Sequence, residues 1–132
     1  MHQKLKKKAI TLLPKSLNSI GSSAFYECSS LTSIIIPDGV TSIGDYAFAD
    51  LYELGGELIL PEGIISIGQY AFYNTGITEI NIPTSVTKVS DYAFADCDAL
   101  DNVFIHGLLT KFGNYVFAYC DTLSNFTFEE ST

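Results

Sequence analysis

The chain has 132 residues, of which 47% are hydrophobic and 17% are charged, a composition typical of a globular protein and not of a disordered one. Its length corresponds to one domain, and no apolar run approaches the ~20 residues needed to span a bilayer. The formal net charge is −8, and an acidic chain repels phosphates, which argues against nucleic-acid binding.

The chain begins with a basic segment. Five of the seven cations lie within the first 15 residues, and all fifteen carboxylates follow them. The apolar stretch AITLL is shorter than the roughly 7 residues of a secretory signal core, so we expect no signal peptide in this chain. Residues 1–9 are predicted to be a mobile, solvated head, and residues 10–132 a single repeat domain.

The segment DYAFAD occurs at residues 45–50 and again, letter for letter, at residues 91–96. Weaker copies occupy residues 22–27, 69–74 and 114–119. Their phenylalanines recur every 22 to 24 residues: Phe25, Phe48, Phe72, Phe94 and Phe117. A period near 23 residues indicates a stacked repeat array, here of about five repeats plus a terminal strand.

The second repeat, residues 31–53, defines the unit. Residues 31–36 alternate apolar and other side chains, which predicts a strand, and Pro37 ends it because proline cannot donate to a mid-strand ladder. Four later apolar residues have the spacing of one face of a short helix: Ile43, Ala47, Phe48 and Leu51. Gly44 and Asp45 stand where the N-cap of that helix belongs.

No single unit can bury its own apolar face, so neighbouring units must stack. The predicted fold is therefore an α/β solenoid. Its parallel strands are expected on the concave side and its short helical turns on the convex side.

The segments LTSIIIPDGVTSIGDYAFADL and ITEINIPTSVTKVSDYAFADC resemble the BspA-like class of leucine-rich repeat, whose signature is LxxIxIPxxVxxIGxxAFxxC. The chain departs from that signature where His106 replaces proline and where Leu51 and Thr75 replace cysteine. The resemblance implies a right-handed leucine-rich-repeat coil. It also implies a secreted or surface-anchored protein that adheres to host or matrix proteins or to other cells, although a cytoplasmic location is left open. We expect an adhesin-like protein-interaction module; a structural spacer without a ligand is the alternative, and an enzyme a remote one.

Solenoids usually bind partners on the strand face, so the outward strand positions are the candidate site. Two columns of outward residues run across the repeats, and Ile35, Ile59 and Phe104 in them are not needed by the core. An apolar strip with an acidic border therefore predicts a protein-binding site. The alternative explanation for the exposed apolar residues is that strands favour branched residues on either face. The candidate residues are Ile35, Ile59, Asn81, Phe104, Glu57, Glu79 and Asn102.

A tyrosine precedes most of the Ala-Phe pairs: Tyr46, Tyr70, Tyr92 and Tyr115. Such a column is expected to pack ring against ring with its hydroxyls at solvent, and a platform for carbohydrate or a partner is the alternative.

The cysteines share one repeat position, and Cys97 and Cys120 lie in adjacent repeats, where a disulfide is conceivable. The same position accepts Leu51 and Thr75, which favours small buried filler, so reduced Cys28, Cys97 and Cys120 are expected.

No group of residues in the sequence has the spacing of a metal-binding or catalytic site. Cys97, His106 and Cys120 lack zinc spacing, and the acidic segment 96–101 lacks the glycine and distal glutamate of a calcium loop. We therefore expect no metal, no cofactor and no catalysis.

The terminal segment 123–128 retains Phe126 and Phe128, which predicts an open end to the array. A longer parent protein is the favoured explanation, and end-to-end self-association is the alternative.

Overall fold

The computed structural model describes residues 10–107 and 110–129, so the basic head at residues 1–9 lies outside the described residues. Each repeat forms one coil with a longer and a shorter strand. The longer strands are β1 (Ile10–Leu12), β3 (Ser33–Ile35), β5 (Gly55–Ile59), β7 (Gly76–Ile82), β9 (Asn102–His106) and β11 (Asn125–Glu129). The shorter strands are β2 (Ser19–Ile20), β4 (Ser42–Ile43), β6 (Ser66–Ile67), β8 (Lys88–Val89) and β10 (Lys111–Phe112).

All strand pairs are parallel, as a coil that always winds in one direction requires. The shorter strands form one five-stranded sheet in the order β10-β8-β6-β4-β2. The longer strands form a four-stranded sheet, β11-β9-β7-β5, and a separate pair, β1-β3. The expected parallel-strand solenoid of about five coils is confirmed.

The longer strands are interrupted between β3 and β5. Within the described residues, a single backbone hydrogen bond joins these coils at this point, from Gly55 N to Thr32 O at 3.2 Å. Gly56 has φ +78°, and the pairing of β5 with β7 shifts register between Gly56 and Glu57. The Gly-Gly pair thus bends β5 away from β3, and the ladder of backbone hydrogen bonds does not continue between these two strands.

The expected helical turns are wrong: residues 10–107 and 110–129 contain no helix. The segment 44–51 instead forms successive turns, because Tyr46 and Asp50 have φ +59° and +62°, in the left-handed region. Ala47 N bonds Gly44 O at 3.3 Å, whereas Tyr46 N bonds Gln69 O of the next coil at 2.8 Å. Alternate N–H groups thus serve a local turn and the neighbouring coil, so the i→i−4 bonds of an α-helix do not form. The other repeats carry the same left-handed pair of positions.

The core lies between the two sets of strands and the turn segments. Phe48, Phe72 and Phe94 are completely buried, as are Ala47, Ala71 and Ala93 beside them. Val40, Ile64 and Val86 form a further column that is completely buried. Each coil therefore contributes equivalent side chains to one continuous apolar core, as the repeat period predicts.

Candidate functional site

The strand face is the outward surface of the longer strands, β1, β3, β5, β7, β9 and β11. Side chains alternate across these strands, so in β7 Ile80 and Ile82 are buried while Asn81 faces outward between them. On the same face Ile35 is 55% exposed and Ile59 is 69% exposed.

The strand register places six of the seven predicted site residues in two adjacent columns. Ile59 pairs with Asn81, which pairs with Phe104. Glu57 likewise pairs with Glu79, which pairs with Asn102. The seventh residue, Ile35, lies in β3, on the far side of the interruption from Ile59.

Asn81 interrupts the apolar column and belongs to a polar chain that crosses four strands. Its amide donates to Glu57 Oε2 at 3.3 Å, and its Oδ1 lies 3.4 Å from His106 Nε2. His106 Nδ1 lies 2.8 Å from Glu129 Oε1, which forms an ion pair when the imidazole is protonated. Sequence reasoning missed His106 and Glu129 as members of this surface; the signal for His106 was its place in the proline position.

A cleft of about 360 Å³ opens where β3 and β5 separate. Its walls are apolar and its rim carries two carboxylates, and the lining residues are Ile34, Ile35, Ile36, Asp38, Glu57, Ile59 and Pro61. Three of the predicted site residues, Ile35, Glu57 and Ile59, therefore share one concavity, which the sequence pattern alone did not indicate.

Residues 18–132 match the family model for the BspA type leucine rich repeat region, in six copies. The chain belongs to the BspA-type leucine-rich-repeat family. No curated protein matches the chain at a significant level.

Two solved structures of leucine-rich-repeat proteins resemble this BspA-type domain closely. One, from Bacteroides ovatus, is 36% identical with a TM-score of 0.77, and the match covers 89% of this chain and 30% of that one. The other, from T. pallidum, is 29% identical with a TM-score of 0.76, covering 84% of this chain and 52% of that one. The chain thus spans about a third to a half of the length of these relatives. It is a leucine-rich-repeat domain, of a family that generally serves in protein interaction.

The tyrosine column of the BspA-type domain is a stack of rings. Tyr46, Tyr70 and Tyr92 lie with successive centroids 4.8 Å apart and planes 6° from parallel, and Tyr115 continues the stack at 5.2 Å. Each inner ring therefore has both faces covered by neighbours, which leaves only ring edges and hydroxyls for solvent and supports the packing interpretation. Partial burial raises the pKa of Tyr92. A hydrogen bond to the Asp96 carboxylate raises the pKa of Tyr73.

The three cysteines of the BspA-type domain are free thiols. The Cys97 and Cys120 thiols donate to the carbonyls of Phe72 and Phe94, each at 3.2 Å. The neighbouring Cys120 thiol raises the pKa of the buried Cys97, and burial adds to this increase. The Cys97 thiol in turn lowers the pKa of Cys120. These contacts fit a packing role for the column.

Among residues 10–107 and 110–129, no three histidine, cysteine or acidic side chains gather closely enough to hold a metal ion. That described part of the BspA-type domain also has no helix long and apolar enough to cross a membrane.

Proposed function

We propose that this BspA-type domain is an adhesin-like interaction module that binds a protein partner through its strand face, on the cell surface or outside the cell. The observation that carries the proposal is the exposure of Ile35 and Ile59, which are 55% and 69% exposed, whereas the next residue of Ile35 and the preceding residue of Ile59, Ile36 and Leu58, are buried. Exposed aliphatic residues that the core does not need are typical of an interaction surface.

The polar border of this face would give the interaction its specificity. The partner-binding set is Ile35, Ile59, Asn81, Phe104, Glu57, Glu79 and Asn102. Phe104 is half-buried, so its ring edge supplements the isoleucines, while the carboxylates and amides supply hydrogen bonds at the margin.

The size of the strand face limits its affinity. Six strands about 4.8 Å apart and about 13 Å long give roughly 300–350 Å², whereas a standard interface takes about 800 Å² per partner. The partner would therefore contact the loops as well, or further coils, since the chain covers only 30% and 52% of its two solved relatives.

A binding assay against extracellular-matrix and host-surface proteins tests the proposal. The informative variant is Ile35→Glu/Ile59→Glu, and Ile65→Glu is the matched control, because Ile65 is 49% exposed away from the strand face. We expect the double variant to lose binding and the control to retain it, with circular dichroism confirming that both are folded. If no protein binds the unaltered chain, the structural-spacer alternative takes precedence.

End-to-end self-association is a second candidate, supported by the last coil. Phe126 and Phe128 pair in register with Val103 and Ile105, which are 0% and 1% exposed. In β11 the two phenylalanines are 50% and 53% exposed, so the end of the array presents apolar surface. Sedimentation equilibrium tests this candidate: concentration-dependent dimers that Phe126→Glu abolishes support it, and a monomer at every concentration rejects it.

A further inference from the structure

The cleft between β3 and β5 lies at the one interruption among the described longer strands. The coils on either side of it are joined by regular ladders, β1 with β3 and β5 with β7. In its sheet β3 pairs only with β1, and β5 pairs only with β7. The facing edges of β3 and β5 therefore form no ladder of backbone hydrogen bonds with each other. Unpaired strand edges are the element to which an extended peptide adds its own backbone.

The side chains around these edges combine two chemistries. Ile35 and Ile59 stand on opposite sides of the opening, and Pro61 contributes to its apolar lining. The carboxylates of Asp38 and Glu57 lie at the same cleft. Its volume of about 360 Å³ falls within the usual range of ligand sites, which begins at roughly 300 Å³.

The charge of the cleft is unbalanced. Within the described residues, neither Asp38 nor Glu57 takes part in an ion pair, and Glu57 accepts one hydrogen bond from the neutral Asn81 amide. Lys15 holds the position equivalent to Asp38 in the preceding coil but forms no ion pair with it within the described residues, and Lys88 and Lys111 belong to the shorter strands β8 and β10. A cationic side chain from outside would therefore find carboxylates that the fold has not already neutralised.

We propose that this cleft binds an extended, basic segment of a protein partner that carries an aliphatic and a cationic side chain two residues apart. The aliphatic side chain enters between Ile35 and Ile59, and the lysine or arginine pairs with Glu57 or Asp38. This spacing follows from the geometry of an extended strand, whose successive side chains point in opposite directions, so residues two apart reach the same wall. The stem of a lysine also packs on apolar surface while its ammonium group reaches a carboxylate.

This inference rests on the proposed function, since it names the partner chemistry for part of the strand face. Titration of the full chain with short fluorescent peptides, followed by anisotropy, tests it separately. The probe repeats leucine, serine, lysine and serine in that order; one comparison peptide has serine at the leucine positions, and another has serine at the lysine positions. We expect the lysine–leucine peptide to bind at least about tenfold more tightly than either, a factor that corresponds to 1.4 kcal/mol.

Two variants locate the site. Glu57→Gln and Ile59→Ser are each expected to weaken binding of the lysine–leucine peptide by about tenfold. Glu53→Gln and Ile65→Ser are the matched controls, because both residues are exposed but neither lines the cleft. The controls are expected to bind as the unaltered chain does, and circular dichroism verifies the fold of all four.

Several results would overturn the inference. Equal loss in Glu53→Gln would mean diffuse attraction by an acidic surface, and equal binding of the serine–leucine peptide would mean a neutral apolar site. No binding of the lysine–leucine peptide would reject a basic occupant. A partner protein that depends on Ile35 and Ile59 but does not compete with the peptide would preserve the proposed function and reject this inference alone.

Discussion

The ring of Phe72 stacks on the ring of Phe94 with centroids 5.3 Å apart and planes 2° from parallel. Phe48 stacks on the other face of Phe72 at 5.0 Å, and Phe25 and Phe117 continue the column at each end. These separations are close to the 4.7–4.9 Å between hydrogen-bonded strands, so the rings and the backbone ladders repeat at nearly the same distance.

Replacing the central ring is therefore expected to be costly. Phe72→Ala removes a completely buried side chain between two stacked neighbours, and it should lower the free energy of unfolding by about 3–5 kcal/mol. Urea denaturation followed by circular dichroism measures the loss. Phe117→Ala is the control, because Phe117 stacks on one ring only and is half-buried in the last coil; equal losses at both positions would contradict complete burial between two rings as the source of the effect.

Gly44, Gly68 and Gly113 hold the same repeat position at the start of a turn segment, and each has a close neighbour in the coil before it; Ser90 takes this position in the fourth repeat. A Cβ at Gly68 would lie 2.6 Å from Asp45 Oδ1 and 2.7 Å from Asp45 N, and Asp45 Oδ1 already accepts from Gln69 N at 2.8 Å. Gly68→Ala is expected to destabilise the fold by about 1–3 kcal/mol, because the backbone of the neighbouring coil must move.

Gly21 holds the same repeat position in the first described turn segment, but no atom lies within 4 Å of its Cβ site. Gly21→Ala is therefore the matched control, and thermal melts should find its stability unchanged or slightly higher. A melting temperature for Gly68→Ala that equals that of Gly21→Ala would show that the coils are further apart than described.

The left-handed residues of the turns predict an unusual response to glycine. Tyr119 has φ +60° and is 69% exposed, so its Cβ is strained in a conformation that glycine adopts freely. Tyr119→Gly is expected to raise the free energy of unfolding by up to about 1 kcal/mol. Ala118→Gly, one residue earlier and outside the left-handed set, should lower it by about 0.5–1 kcal/mol. Chemical denaturation of the two variants checks the opposite signs.

The tyrosines predict a loss of stability at high pH. The folded state raises the pKa of Tyr73 through its hydrogen bond to Asp96 and of Tyr92 through partial burial. Their contribution is complete below the unfolded value of about 10 and disappears as the pH rises through the folded values. Melting temperatures should therefore fall between neutral pH and the alkaline range above about pH 10.

Asp96→Asn separates the effect of the Asp96 carboxylate on the pKa of Tyr73 from the effect of burial. The substitution removes the carboxylate beside Tyr73, so ultraviolet absorbance should detect phenolate at a lower pH than in the unaltered chain. Asp121→Asn, an exposed aspartate in the last coil, serves as the control. An unchanged titration in Asp96→Asn would assign the raised pKa to burial.

The sequence predicted those parts of the structure that depend on alternation and period. The strands, their parallel stacking and the two outward columns follow from the apolar pattern that precedes Pro37 and its equivalents, and the register confirms the columns. The helical turns were wrong, because the spacing of Ile43, Ala47 and Phe48 also suits a turn segment in which successive residues enter the core. Tyrosine at the first left-handed position gives no sequence signal for that conformation, whereas Asp50, Asn74 and Asp96 at the second position are of the residue types that adopt it most readily after glycine.

The candidate surface was predicted less completely. Its columns followed from the repeat, but the cleft depends on how Gly55 and Gly56 redirect β5 relative to β3, which requires the backbone. The chain of contacts from Glu57 through Asn81 to His106 depends on side-chain orientation across three coils. The repeat pattern does not contain that information, since Asn81 interrupts an apolar column and His106 replaces proline in its repeat position.

The hydrogen bonds of the turn segments give the solenoid a net dipole along its axis. In the peptide unit between Asp45 and Tyr46, the carbonyl accepts from Ser23 of the preceding coil and the N–H donates to Gln69 of the following one. Equivalent units in every coil align their dipoles along the axis, as in an α-helix, but with the positive pole at the last coil. Cations are therefore favoured at the first coil and anions at the last. Because salt screens such a field over about 10 Å at 0.1 M, the two ends differ most at low ionic strength.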